Sequence, residues 1–248
     1  MTREVMNTSV EVAPDRFGTP LYSIAEAARY LDVPASTFAT WARGYRRTRP
    51  GRPTVVGRPI VTALGRPGDR GAVVPFIGLA EAVVLSAMRQ SGVPLQRIRP
   101  ALDELARTVG VEHALASERL YTDGAEILYD YAGTTKNADV ALAARELVVV
   151  RNGQRVFNEI VASYLRRVEF AKDGYARRIQ LPAYQRAMVI ADPGRGFGQP
   201  VFAHGGARLE DILNMFQAGE PIAVVADEYG VPRDEVEDAI RVAMQVAA

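Results

Sequence analysis

The sequence predicts a mainly α-helical protein with small β elements, an α+β fold. Three observations carry this expectation. Apolar residues recur at helical spacing near both ends of the chain, short β-branched runs separated by Gly/Pro turns follow the first helices, and dipeptides of the hairpin-turn type punctuate the middle. The 248 residues exceed one typical small domain, and 48% apolar with 24% charged residues is ordinary globular material.

Taken in order, residues 1–20 carry no periodic signal and are expected to be a flexible lead. Ser23-Ile24-Ala25-Glu26 has the spacing of a capping box, and Ile24, Ala27, Ala28 and Leu31 continue it as a helix. Asp32-Val33-Pro34 breaks that helix. A second one is expected from Ala35 to Arg43, with Phe38 and Trp41 three apart on its buried face. Strand character follows at Pro53–Val56, Pro59–Leu64 and Ala72–Val74. The tip Gly65–Gly71, carrying Arg66 and Arg70, reads as the turn of a hairpin between the last two.

Helices are expected at Leu79–Gln90 and Leu95–Val109, with Pro100 as a kink or the true start of the second. Asp123-Gly124, Asn152-Gly153 and Asp173-Gly174 suggest hairpin turns, with one helix from Asn158 to Arg167 among them. Pro193–Pro200 reads as a loop or linker. Leu209–Ala218, Ile222–Tyr229 and Arg233–Val246 read as three short helices.

Charge is unevenly placed. Between Trp41 and Pro75 stand Arg43, Arg46, Arg47, Arg49, Arg52, Arg58, Arg66 and Arg70 against Asp69 alone, a net +7. Between Ala207 and Ala248, nine acids face three arginines, a net −6. Two different partners are implied, and arginine suits the first to phosphates and base edges through its planar fork. A helix-turn-helix requires a small residue in the first helix, a tight turn and an apolar residue inside the second. Ala28, Asp32-Val33-Pro34 and Phe38 meet that spacing.

Ser36, Thr40 and Arg43 would then line the outward face of the second helix, in reach of base edges and phosphates. Arg46 belongs to the same basic run, and Arg47 would join the face only if the helix continues past Gly44. Arg66 and Arg70 would sit on a wing touching backbone or minor groove. The DNA-binding set is thus Ser36, Thr40, Arg43, Arg46, Arg47, Arg66 and Arg70, with double-stranded DNA as partner and a homodimer expected from two-fold operators.

The spacing recurs at Ala226, Gly230-Val231-Pro232 and Val236. Here the second helix is expected to expose Asp234, Glu235, Glu237 and Asp238, which phosphates would repel, so a protein-binding role is the reading. The division expected is a lead at 1–20, a winged helix-turn-helix domain at 21–116, a mixed middle at 117–199 and a three-helix unit at 200–248.

Other chemistry finds little support. There are no cysteines, which removes disulfides and thiolate metal sites and fits a reducing, cytoplasmic setting. His113 and His204 are the only histidines and stand far apart. Gly194-Arg195-Gly196-Phe197-Gly198 lacks the Lys-Ser/Thr of a phosphate loop. No apolar run approaches a membrane span. No enzyme activity, metal or cofactor is expected.

With these residues in place, segment 21–109 resembles the winged helix-turn-helix of MerR-like regulators, through the Ser23–Arg43 helix pair, the Arg-rich wing and Ser91-Gly92-Val93-Pro94 with its following helix. The tail, with Gly205-Gly206, Ala218-Gly219-Glu220 and Gly230-Val231-Pro232 ahead of Val236, resembles a small trihelical domain of VapB-type antitoxins. The resemblance implies an antitoxin that neutralises a PIN-like ribonuclease toxin and represses its own operon. The alternative is a stand-alone MerR-like regulator whose middle region binds an effector or dimerises. A third reading is a nucleic-acid enzyme using Arg195.

Overall fold

The first helix, α1 (Ile24–Tyr30), begins where the sequence says it should. Ser23 Oγ accepts from the Glu26 amide at 3.2 Å, and Glu26 Oε2 accepts from the Ser23 amide at 2.8 Å. In the computed structural model, which describes residues 13–49, 51–66, 69, 71–151 and 154–245, α1 packs on α2 (Ala35–Arg43). Ala28 is buried at the crossing, and the Val33 amide donates to its carbonyl at 3.0 Å. Asp32 takes a left-handed φ of 54°, which aspartate tolerates better than most residues. Phe38 and Trp41 are fully buried with ring centroids 6.1 Å apart.

Gly44 ends α2 at φ 71°, and a Cβ there would fall 2.4 Å from the Gly57 carbonyl oxygen. Only glycine fits both conditions. The chain then forms an antiparallel hairpin of β1 (Tyr45–Arg49) and β2 (Arg52–Gly57), with Arg46 opposite Val56 and Arg47 opposite Val55. This is the wing, and it lies earlier in the chain than the sequence pattern placed it. Residues 59–64 and 72–74 are strand-like for another reason. The Ile60 and Val61 amides both donate to the Trp41 carbonyl, at 2.8 and 3.1 Å, while Val74 bridges to Tyr22. Of the expected hairpin, one bond survives, from the Leu64 amide to the Val73 carbonyl at 2.7 Å.

The next helix, α3 (Phe76–Gln90), is buried from Phe76 through Met88. Gly92 (φ 86°), Val93 and Pro94 turn the chain into α4 (Leu95–Val109), which runs through Pro100 rather than starting there. A 3-10 turn (Ala114–Ala116) leads to α5 (Glu118–Thr134) and α6 (Ala138–Glu146). Asp123-Gly124 is therefore inside a helix, not a hairpin turn. Gly124 has a packing reason instead: a Cβ there would lie 3.0 Å from the Phe157 ring.

The chain continues through the hairpin β3 (Val148–Arg151) and β4 (Gln154–Phe157), in register Arg151 to Gln154. Asn152-Gly153, expected as its turn, lies outside the described residues. Asn158 then caps α7 (Glu159–Leu165). The meander β5 (Val168–Phe170), β6 (Ala176–Gln180), β7 (Val189–Ala191) and β8 (Val201–Phe202) follows, antiparallel throughout. Asp173-Gly174 turns between β5 and β6 as expected, with Gly174 at φ 79°. Finally α8 (Leu209–Gln217), α9 (Ile222–Tyr229) and α10 (Arg233–Gln245) pack on one another.

Two expectations about mobile segments need revision. Arg16, inside the expected lead, donates to the Ala176 carbonyl at 2.8 Å, and its own carbonyl accepts from the Ile77 amide at 3.0 Å. The turn at 193–200 is also held in place. Tyr22 donates its buried hydroxyl to the Gly198 carbonyl, and Gln199 Nε2 donates to the Leu21 carbonyl at 3.2 Å. Helix-turn-helix, sheet and three-helix unit are joined by such bonds.

The buried charged residue on α3 is Glu81, 5% exposed. Its Oε2 accepts from the Thr62 amide at 2.6 Å and its Oε1 lies 3.0 Å from His113 Nδ1. Gly78 lets this loop approach, since a Cβ there would stand 2.2 Å from the Thr62 carbonyl oxygen. The Glu81 hydrogen bond raises the His113 pKa above its ordinary 6.5; burial opposes the shift, and the Glu81 and Glu112 charges add to it.

Two outcomes are expected. Trp41→Ala should cost about 3–5 kcal/mol in urea unfolding, because the ring is wholly enclosed. His113, with a raised folded pKa, should contribute stability that is complete below its unfolded pKa and is lost as pH rises through the folded one. Urea midpoints should therefore fall on going from mildly acidic to alkaline pH, and Glu81→Gln should flatten that fall; an equally steep fall in the variant would remove His113 as its source.

Candidate nucleic-acid interface

The candidate recognition surface lies on α2, where α1 and the buried pair Phe38 and Trp41 fix which side of the helix faces out. Ser36, Thr40 and Arg43, four and three apart, share the opposite side. Ser36 and Arg43 are exposed and Thr40 is half-buried. Thr40 Oγ1 donates to the Ser36 carbonyl at 2.9 Å, which occupies its proton and leaves its lone pairs as acceptors. Arg43 Nη2 donates to the Asp69 carbonyl at 2.8 Å, which holds its guanidinium beside that residue.

Arg66 is brought to the same place. With Arg43, Ala42, Pro59 and Ala63 it lines a cleft of about 220 Å³ at the C-terminal end of α2. The Arg66 amide donates to Asp69 Oδ2 at 2.7 Å, so this carboxylate caps its own loop. Arg66 thus belongs to the flank of the recognition helix, not to a wing tip. Arg70 lies outside the described residues.

The other arginines sit differently from the expectation. The helix does not pass Gly44, so Arg46 and Arg47 stand on β1, the first strand of the wing. Only Gly44 and Tyr45 separate Arg46 from Arg43, so helix and hairpin form one continuous surface. Strand alternation puts Arg46, which is exposed, on the side opposite Tyr45. Thr48 and Thr54 meet across the hairpin at 3.2 Å. Sequence reasoning did not single out Tyr45, Arg58 or Arg99, which meet at the wing's base. The signal available was Tyr45 directly after the helix-ending Gly44.

The acidic set divides in a way the sequence pattern did not show. Asp234 is exposed, and Glu237 is half-exposed and pairs with Arg233 at 2.9 Å. Glu235 and Asp238, expected on the surface, are 6% and 1% exposed. Asp238 Oδ2 accepts from the Arg186 and Ala187 amides at 2.8 and 3.0 Å. Glu235 accepts from the Met188 amide at 3.2 Å and contacts His204 Nδ1 at 2.8 Å. The physical reason is the strand β7 beside α10: its preceding amides need acceptors, and these two carboxylates provide them. Exposed acids remain at Glu210, Glu220, Asp227 and Glu228 on and beside α8 and α9.

Among the described residues no helix is long and apolar enough to cross a membrane. Comparison with known proteins places both halves of this geometry. Residues 20–102 match a family described as "Putative DNA-binding HTH domain", and residues 189–243 match one described as "Protein of unknown function (DUF433)". The first span holds α1 to the middle of α4, and the second holds β7 to α10. "Uncharacterized protein Rv2308" of Mycobacterium tuberculosis (strain ATCC 25618 / H37Rv) is 26% identical over 89% of this chain and 88% of its own length. The X-ray crystal structure of Rv2018 from Mycobacterium tuberculosis aligns with a TM-score of 0.78 and 49% identity, over 91% of this chain and 99% of that one. From the same organism, "Putative antitoxin VapB45" is 51% identical over 226 residues, 91% of this chain and 94% of that protein. With 91% of the chain inside one alignment at 51% identity, this chain belongs to the family of the "Putative antitoxin VapB45".

Proposed function

We propose that this chain is a DNA-binding antitoxin, a regulator without enzymatic activity of its own, which neutralises a PIN-like ribonuclease toxin and represses its own operon as a homodimer. One observation carries the DNA half: a recognition helix whose outward side holds Ser36, Thr40 and Arg43 runs directly into a hairpin bearing Arg46 and Arg47. Hydroxyls and Arg43 suit the major groove, and the hairpin arginines suit adjacent phosphates. The name carried by the relative "Putative antitoxin VapB45" supports the toxin half.

For the toxin, the exposed acids of the three-helix unit are the candidate contact, with Asp234 and Glu237 joined by Asp227, Glu228 and Glu210. A ribonuclease must attract phosphates, so a basic face on it would complement this one and speed association. Glu235 and Asp238 act from inside, holding α10 on the sheet.

A second reading, a stand-alone regulator, is favoured by one feature. A cleft of about 540 Å³ in the middle region is lined by Tyr121, Ala125, Phe157 and Leu165 with Arg155 and Arg166 among its walls. An effector there would act without a toxin. Co-expression with the product of the adjacent gene decides: a stable complex supports the antitoxin, and none supports the regulator.

Duplex DNA from upstream of its own gene should be shifted at low salt, with affinity falling steeply as salt rises. Arg43→Ala and Arg46→Ala should each weaken binding and reduce the salt slope by about one if each meets a phosphate. Failure of the wild type to bind at low salt would remove the DNA reading. For the toxin, Asp227→Lys, Glu228→Lys and Asp234→Lys together should slow complex formation while DNA binding persists. Unchanged association would place the contact on other surfaces.

A further inference from the structure

We propose that Arg99 is a positioning residue for DNA binding: it fixes the wing against the recognition helix and so sets the reach of Arg46. The inference rests on the DNA-binding reading. Arg99 stands on α4, outside the helix-turn-helix pair and outside the hairpin. Its Nη1 donates to the Arg58 carbonyl, one residue beyond the end of β2. Its guanidinium carbon lies 5.7 Å from the centroid of the Tyr45 ring, the first residue of β1. One cation therefore holds the exit of one wing strand and the entry of the other.

The tyrosine links the two. Its ring occupies the space over Gly57, where a Cβ would stand 2.2 Å from the ring carbon Cε1. Arg99, Tyr45 and Gly57 stack at the base of the hairpin, below the pairs that carry Arg46 and Arg47. Arg99 Nη2 is buried and has no hydrogen-bond partner among the described residues. Such a donor is costly to enclose, and the π face of Tyr45 is the available compensation for its charge.

The wing needs this brace. A lone two-stranded hairpin is marginally stable in water, and here Thr54, Val55 and Val56 are all exposed. At its entry stands Gly44, a left-handed residue that fixes no side-chain contact with the helix. With Arg99 in place, the hairpin is referred to α4 and, through α4, to α5 and α6. The chemistry is specific to arginine, whose planar fork can donate to a carbonyl while lying on a ring; lysine offers a point charge.

The test uses the full-length protein and the upstream duplex. Hydrogen exchange without DNA reads the pose directly. Arg99→Ala should speed exchange of the β1 and β2 amides and leave α2 unchanged, and unchanged wing exchange overturns the proposal whatever happens with DNA. In binding, Arg99→Ala should weaken affinity by about tenfold, and adding Arg46→Ala should cost little more, because a loosened wing has already lost that contact. Tyr45→Leu, which removes the ring and leaves every charge, should reproduce the loss and serves if Arg99→Ala fails to fold. Fully additive losses, or full recovery by Arg99→Lys, would make Arg99 a plain phosphate contact and overturn the brace. A wild type that binds no DNA would instead remove the underlying reading, with the exchange result still standing on its own.

Discussion

The constraint on which this structure depends is that α3 has no solvent face. From Phe76 to Met88 every residue is buried, so neighbouring elements must cover the helix on all sides. The 3-10 turn, α4, α7 and β6 all pack against it. The loop that follows the wing does so through Thr62, whose amide finds its acceptor in Glu81. A carboxylate enclosed in such a helix is tolerable only with its partners supplied, and Thr62 and His113, whose side chains meet each other at 3.0 Å, supply them together. The loop after the wing and the residue ahead of the 3-10 turn thereby meet on one buried group.

The chain also uses one turn three times. Asp32-Val33-Pro34, Gly92-Val93-Pro94 and Gly230-Val231-Pro232 each place a left-handed residue, a buried valine and a proline ahead of a helix. The backbone solution is common to them because its needs are local: the left-handed residue ends one helix, valine fills the corner, and proline fits the start of the next. What each copy does depends on the outer side of its second helix. In α2 that side offers hydroxyls and Arg43. In α10 two of the carboxylates turn inward to β7, and the helix becomes a strut.

Electrostatics gives the two ends opposite surface character without any long-range field. The arginines of the first part lie on an exposed hairpin and on the end of a short helix, where phosphates could replace water at little cost. Asp69, the single acid among them, is engaged by the Arg66 amide and so competes little for a guanidinium. At the other end, burial of Glu235 and Asp238 removes two charges from the surface, and the remaining acidic face is centred on α8 and α9 rather than α10.

Much of this was legible in the chain. The capping box at Ser23, the Ala28 and Phe38 spacing, the buried Trp41 and the three C-terminal helices follow from local rules: apolar period, caps and breakers act over a few residues. The wing's position was not legible, because residues 59–64 and 45–49 are both competent strands. The choice between them fell to the Trp41 carbonyl, which captured the Ile60 and Val61 amides. Gly124 looked like a turn and proved to be a contact point for Phe157, 33 residues further on; periodicity cannot reveal such a pairing, and only packing shows it. Glu235 and Asp238 read as solvent-facing because charge pattern alone cannot show which amides lack acceptors. Local propensity determined which segments become helices and strands; the need to satisfy buried backbone groups and to wrap α3 decided which of them touch.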